Sequence, residues 1–107
     1  MLKLHKKYHS LNIPLKVVSD QKGSPTSCKT LSDTCWKFMD PEFARKSPYQ
    51  IYHWCDKGII SWFDFSKAIG MIGKKLKLID APAVINPIKS EDFITEAKRP
   101  RYSALDC

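Results

Sequence analysis

One helical apolar stripe constrains the fold of this chain more than any other feature. Trp62, Phe65, Ile69 and Ile72 recur at spacings of 3, 4 and 3, which places them on a single helix face. The stripe begins at Ser61-Trp62-Phe63-Asp64, a capping box with Asp in place of Glu. Gly73, followed by Lys74, Lys75 and Lys77, fits a helix end. An aromatic stripe of this kind is predicted to face a core rather than to stack nucleic-acid bases.

The rest of the chain supplies less regular signals. Residues 2–10 form a candidate helix that Asn12-Ile13-Pro14 breaks. Leu15–Val18 reads as a short strand and Asp20–Thr26 as a loop. Thr26 or Ser27 then caps a helix whose Cys28, Leu31, Cys35 and Phe38 share a face, so the two cysteines are predicted to be core residues. The helix is expected to stop before Pro41, with a polar loop over 42–48. Residues 50–54 and 83–85 have strand character, and Arg101–Leu105 reads as a strand or extended strap. The predicted order is (α)–β–α–β–α–β–extended, an α/β unit with at least one parallel pair. It has fewer strands than a doubly wound domain usually needs.

At 107 residues the chain has room for one small unit, predicted over 1–107. The formal charge is +7, with clusters at Lys3/Lys6/Lys7, Lys74/Lys75/Lys77 and Lys98/Arg99/Arg101. An anionic partner follows from that balance. No apolar run approaches a bilayer span, no secretory signal is evident, and the cysteines form no C-x-x-C pair. A cytoplasmic protein with reduced thiols and no membrane association is expected.

Several chemistries lack their residues. Gly23, Gly58, Gly70 and Gly73 make neither a dinucleotide fingerprint nor a phosphate loop. No Tyr has a Lys four residues later, so the acid pair of a short-chain hydride-transfer enzyme is missing. His5 and His9 stand at i, i+4 but lack a third ligand, and they read as surface histidines. Cys28 lies near a helix start, yet its stripe position favours packing over nucleophilic chemistry. Two loops remain as candidates. The loop at Asp20–Thr26 leads into a helix N-terminus able to receive an anion, and Lys98-Arg99-Pro100-Arg101 could grip a phosphate.

Asp20-Gln21-x-Gly23-x-Pro25-Thr26, Ile51-Tyr52-His53, Ser61–Phe65, Pro87-Ile88 and Arg99-Pro100-x-x-Ser103-x-Leu105-Asp106 follow one another in the order and spacing of a known family. The chain resembles the C-terminal part of dTDP-4-dehydrorhamnose reductase, in the extended short-chain dehydrogenase superfamily. The noncatalytic regulatory branch of that superfamily is a related match. The resemblance implies a small partial α/β unit, the substrate-binding lobe, with the Rossmann half absent. It implies descent from an oxidoreductase that uses NADPH or NADH to reduce dTDP-4-dehydro-L-rhamnose for dTDP-L-rhamnose synthesis. It places Gln21, Gly23, Pro25, Thr26 and Arg99 near the dTDP-sugar.

The resemblance assigns no catalytic, cofactor-binding or metal-binding residue to this chain, because the family's dinucleotide site and Tyr/Lys acid lie before the part matching Met1. Gln50 stands where the family often has glycine, and the family continues into a helix beyond the part matching Cys107. A truncated reading frame would give this pattern, and the chain alone is then expected to be inactive. The alternative is a sugar-nucleotide-binding or docking module, whose partner is a full-length reductase or a second copy. A third reading, a small basic nucleic-acid binder, rests on charge alone and finds no recognised module.

Overall fold

The computed structural model describes residues 1–49 and 51–106. The expected roles of Gln50 and Cys107 lie outside these residues. Leu15–Val18 (β1) pairs in parallel with Ile85–Ile88 (β4), in the register Leu15↔Ile85 to Val18↔Ile88. The parallel pair was predicted, but β4 starts at Ile85 rather than at Ala83. It accepts Pro87 opposite Val17 because an edge strand can spare that N–H. Ala83 instead lies buried with Leu15 and Val17, and Tyr8, Phe63 and Ile85 pack around them. A second, antiparallel pair joins Lys22–Gly23 (β2) to Ile60–Ser61 (β3).

Helix α1 (Leu2–Ser10) ends as a Schellman turn. Asn12 takes φ 52°, and the N–H groups of Asn12 and Ile13 reach the carbonyls of His9 and Tyr8. The stripe helix, α4 (Trp62–Lys75), begins as expected, with the Ser61 hydroxyl accepting the Asp64 N–H. Its end differs from expectation. Gly73 is interior and buried, and the turn falls at Lys77, with φ 56° and a Leu78 N–H bond to the Gly73 carbonyl.

The face α4 buries is also not the predicted one. Ser66, Gly70 and Gly73 are its buried residues, while Trp62 and Ile72 remain 49% and 54% exposed. The reason is the close approach of α1. A Cβ on Gly70 would lie 2.8 Å from the His5 ring and 2.9 Å from Pro82, and one on Gly73 would lie 2.5 Å from Leu2. Large side chains cannot occupy that seam, so the small ones do. His5, expected at the surface, is completely buried there. Its Nε2 lies 2.9 Å from the Ser66 carbonyl, and its Nδ1 has no partner among the described residues.

Helix α2 (Cys28–Phe38) is capped by Ser27, whose hydroxyl accepts the Lys29 N–H. Its predicted core face is open, since Cys28 and Cys35 are exposed and Leu31 is 44% exposed. The expected loop over 42–48 is mostly helix α3 (Pro41–Lys46), with Asp40 as cap and proline at the first position. Residues 51–54 form no strand. Phe38 packs instead on Phe43 and Tyr52, with ring centroids 5.1 and 4.3 Å apart.

These elements are spread over 56 × 34 × 22 Å, with a radius of gyration of 17.7 Å. A compact domain of this length would have about 13 Å. The accessible surface of 9021 Å² likewise exceeds the roughly 6100 Å² expected for a compact monomer of this mass. Among the described residues, no helix is long and apolar enough to cross a membrane.

Candidate functional site

The free side of β1 opens onto a cleft of about 1150 Å³. Leu15 to Val18 and Trp62, at the head of α4, line it. The outer wall is a segment running from the 3-10 turn at Ser90–Asp92 through Phe93 and Ile94 to Arg101. This segment is extended because its turn residues and Pro100 oppose regular structure, and its main chain finds partners at β2 instead. The Lys22 N–H donates to the Arg101 carbonyl and the Ser103 N–H donates to the Lys22 carbonyl, both at 2.9 Å. Arg101–Leu105 is therefore the predicted strap, with one isolated parallel bridge between Lys22 and Tyr102.

The bend after β1 is the electrostatic hub. Asp20 Oδ1 accepts from the Ser90 hydroxyl at 2.7 Å and from the Ser90 N–H at 2.9 Å. The Ser90 hydroxyl in turn accepts from Gln21 Nε2 at 3.0 Å. Asp20 Oδ2 faces Arg101 Nε at 4.0 Å. The Ser90 hydroxyl above all holds the Asp20 carboxyl below its ordinary range. Desolvation works against that shift, while the Ser90 amide and the Arg101 charge add to it.

Of the residues named from sequence, Gln21 and Arg99 line the cleft, and Gly23, Pro25 and Thr26 are not among its lining residues. Gly23 lies against the strap, where an added Cβ would meet Ser103 Oγ at 3.0 Å. Pro25 is half-buried, and Thr26 donates to the Ser24 carbonyl and accepts from the Asp56 N–H. The anion position expected at the start of α2 is filled by the chain itself. Asp56 accepts from the Ser27 N–H and from the Thr30 hydroxyl, each at 2.8 Å, and these two bonds, in that order, lower its pKa.

Sequence reasoning did not single out Lys16, Trp62 or Ser90 for this site, and it named Arg101 only as part of the phosphate-gripping run Lys98-Arg99-Pro100-Arg101. Their spacing carries no motif, and they meet only because β1, α4 and the strap converge. The lining combines cations (Lys16, Lys98, Arg99, Arg101) with an aromatic face and apolar side chains, and includes Glu91 and Glu96. Among the described residues the lining contains no His, Cys or Tyr. Such a surface can grip a phosphate through guanidinium forks and cover a flat ring. Among the described residues no group of three or more His, Cys, Asp or Glu could hold a metal ion.

Residues 1–107 match the family described as RmlD substrate binding domain. The chain belongs to that family. It is 32% identical over 93 residues to the dTDP-4-dehydrorhamnose reductase of Aggregatibacter actinomycetemcomitans, covering 86% of this chain and 32% of that protein. A solved dTDP-4-dehydrorhamnose reductase from Clostridium acetobutylicum superposes with a TM-score of 0.75 at 36% identity, over 99% of this chain and 34% of the other. The Bacillus anthracis enzyme, solved in complex with NADP, gives the same TM-score at 27% identity, again over 99% and 34%. The motif resemblance and the partial α/β unit therefore stand. The RmlD substrate binding domain chain spans about a third of the length of these relatives.

Proposed function

We propose that this chain is a single sugar-nucleotide-binding unit that holds a dTDP-linked deoxysugar in the cleft beside β1 and performs no reduction alone. The observation that carries the reading is the convergence of Gln21, Arg99 and Arg101 around one cleft in a substrate-binding-domain fold. The diphosphate would meet Arg99 and Arg101, while Gln21 and Trp62 would face the sugar or base. Gly23, Gly58, Gly70 and Gly73 make no run suited to a dinucleotide, and NADPH or NADH would be bound by residues outside this set. The exposed thiols of Cys28 and Cys35 accord with the reducing cytoplasm. Calorimetric titration with dTDP should give saturable heat, and Arg99→Ala should weaken binding roughly tenfold, as expected for losing a charge-assisted contact. Absence of heat at millimolar dTDP would remove this reading, and NADPH oxidation with a 4-keto dTDP-sugar would remove the inactivity.

A second reading, docking on a full-length reductase or on a second copy, is favoured by the surplus exposed surface. Trp62 and Ile72 of the outward stripe of α4 contribute to it, and Trp62 belongs to stripe and cleft alike. Surfaces of this apolar character ordinarily have a partner. Light scattering should show self-association or capture of a full-length reductase that Ile72→Lys abolishes; a monomer that captures no reductase would contradict docking.

A further inference from the structure

Residues 91–100 are exposed throughout and form the outer wall of the cleft. Both ends of this arch return to the same carboxylate. Ser90, at its start, donates twice to Asp20 Oδ1, and Arg101, at its end, faces Asp20 Oδ2. We propose that Asp20 is a positioning residue that pins the arch at its two ends and thereby sets where Arg99 stands over the cleft.

The arch packs little of its own surface, so its position must come from its ends. Joining the ends of a loop of this length carries an entropic cost that grows only slowly with length, and a few well-made bonds can meet it. Asp20 suits the task because a carboxylate presents two acceptors at once. One oxygen takes the turn's N–H and hydroxyl, and the other is left for a guanidinium. Gln21 completes the pin by donating to the Ser90 hydroxyl, which leaves that hydroxyl both donating and accepting. The residue that pins the arch is thus adjacent in sequence to one that lines the cleft. The inference uses the dTDP reading only for its ligand; the pinning stands on geometry.

The test is amide hydrogen exchange together with binding of dTDP and dTMP, on wild type, Asp20→Ala, Ser90→Ala and the double variant. Asp20→Ala should speed exchange at Ser90 and Ser103 by roughly tenfold or more, with β1 amides unchanged. It should also weaken dTDP by roughly tenfold and erode the preference for dTDP over dTMP, which a general loss of structure would not do selectively. Ser90→Ala should reproduce a smaller version, and the double variant should be no worse than Asp20→Ala. Asp20→Asn, which keeps one acceptor, should restore part of the protection. Unchanged exchange in Asp20→Ala overturns the proposal. So does dTDP affinity that holds within about twofold while those amides open, since a tenfold loss is the signature of the broken contact. If wild type takes up no dTDP, the ligand reading fails separately and exchange alone decides the pinning.

Discussion

Gly70→Ala should destabilise the fold by about 1–2 kcal/mol, whereas Gly73→Ala, three residues on, should leave it within about 0.5 kcal/mol of wild type. Exchanging helical glycine for alanine by itself favours the helix by about 0.5–1 kcal/mol, so the difference must come from packing. At Gly70 the new methyl would lie 2.8 Å from the His5 ring and 2.9 Å from Pro82. Neither can yield cheaply: the imidazole is fixed against the Ser66 carbonyl and the proline ring is rigid. Overpacking of this kind costs about 1–3 kcal/mol. At Gly73 the nearest atom is the flexible tip of Leu2 in the first turn of α1, and the buried Ile79 side chain, at 3.3 Å, need give by only a few tenths of an ångström. Denaturant titration of the two variants checks the contrast. Equal destabilisation would show that the α1–α4 seam is not set by these contacts.

His5→Ala should be the costliest single change in the chain, at about 2–4 kcal/mol, because it removes a completely buried ring and leaves a cavity between two helices. The same thermodynamic cycle tests the cause. With His5 gone, two of the three close contacts at Gly70 disappear, and Gly70→Ala should lose about 1 kcal/mol or more of its cost. Pro82 remains in place, so recovery should be incomplete. Strict additivity of the two changes would contradict the packing account.

The parts of this fold that were legible in sequence are those fixed by local chemistry. Ser27 and Ser61 cap their helices because a hydroxyl reaches the next N–H groups whatever surrounds it. Asp40-Pro41 carried an equally local signal, a cap followed by proline at the first helical position. Read as a breaker, it concealed α3. Residues 51–54 have β propensity but pair with no strand among the described residues, and propensity alone does not make a ladder. The face of α4 was misjudged for a different reason. Periodicity detects large apolar residues, while the contact with α1 is made through Ser66, Gly70 and Gly73, themselves spaced 4 and 3 apart. That small-residue stripe was the available signal, and it explains how the buried His5 escaped notice.

The candidate site divides the same way. Gln21 and Arg99 lie in motifs readable in the chain, and both line the cleft. Thr26 and the start of α2 looked equally suited to an anion until Asp56, 30 residues further along from Thr26, occupied that position. Trp62 and Arg101 join Gln21 only through the pairing of β2 with β3 and the strap, contacts between distant residues that no local pattern encodes.

The most direct measurement is therefore a map of amide shifts in the labelled protein as dTDP is added. Binding in the cleft predicts saturable shifts at Lys16–Gln21, Trp62, Ser90 and Arg99–Arg101, with α2 unmoved. Shifts confined to Thr26–Thr30, or none at millimolar dTDP, would contradict the assignment of this cleft to the ligand.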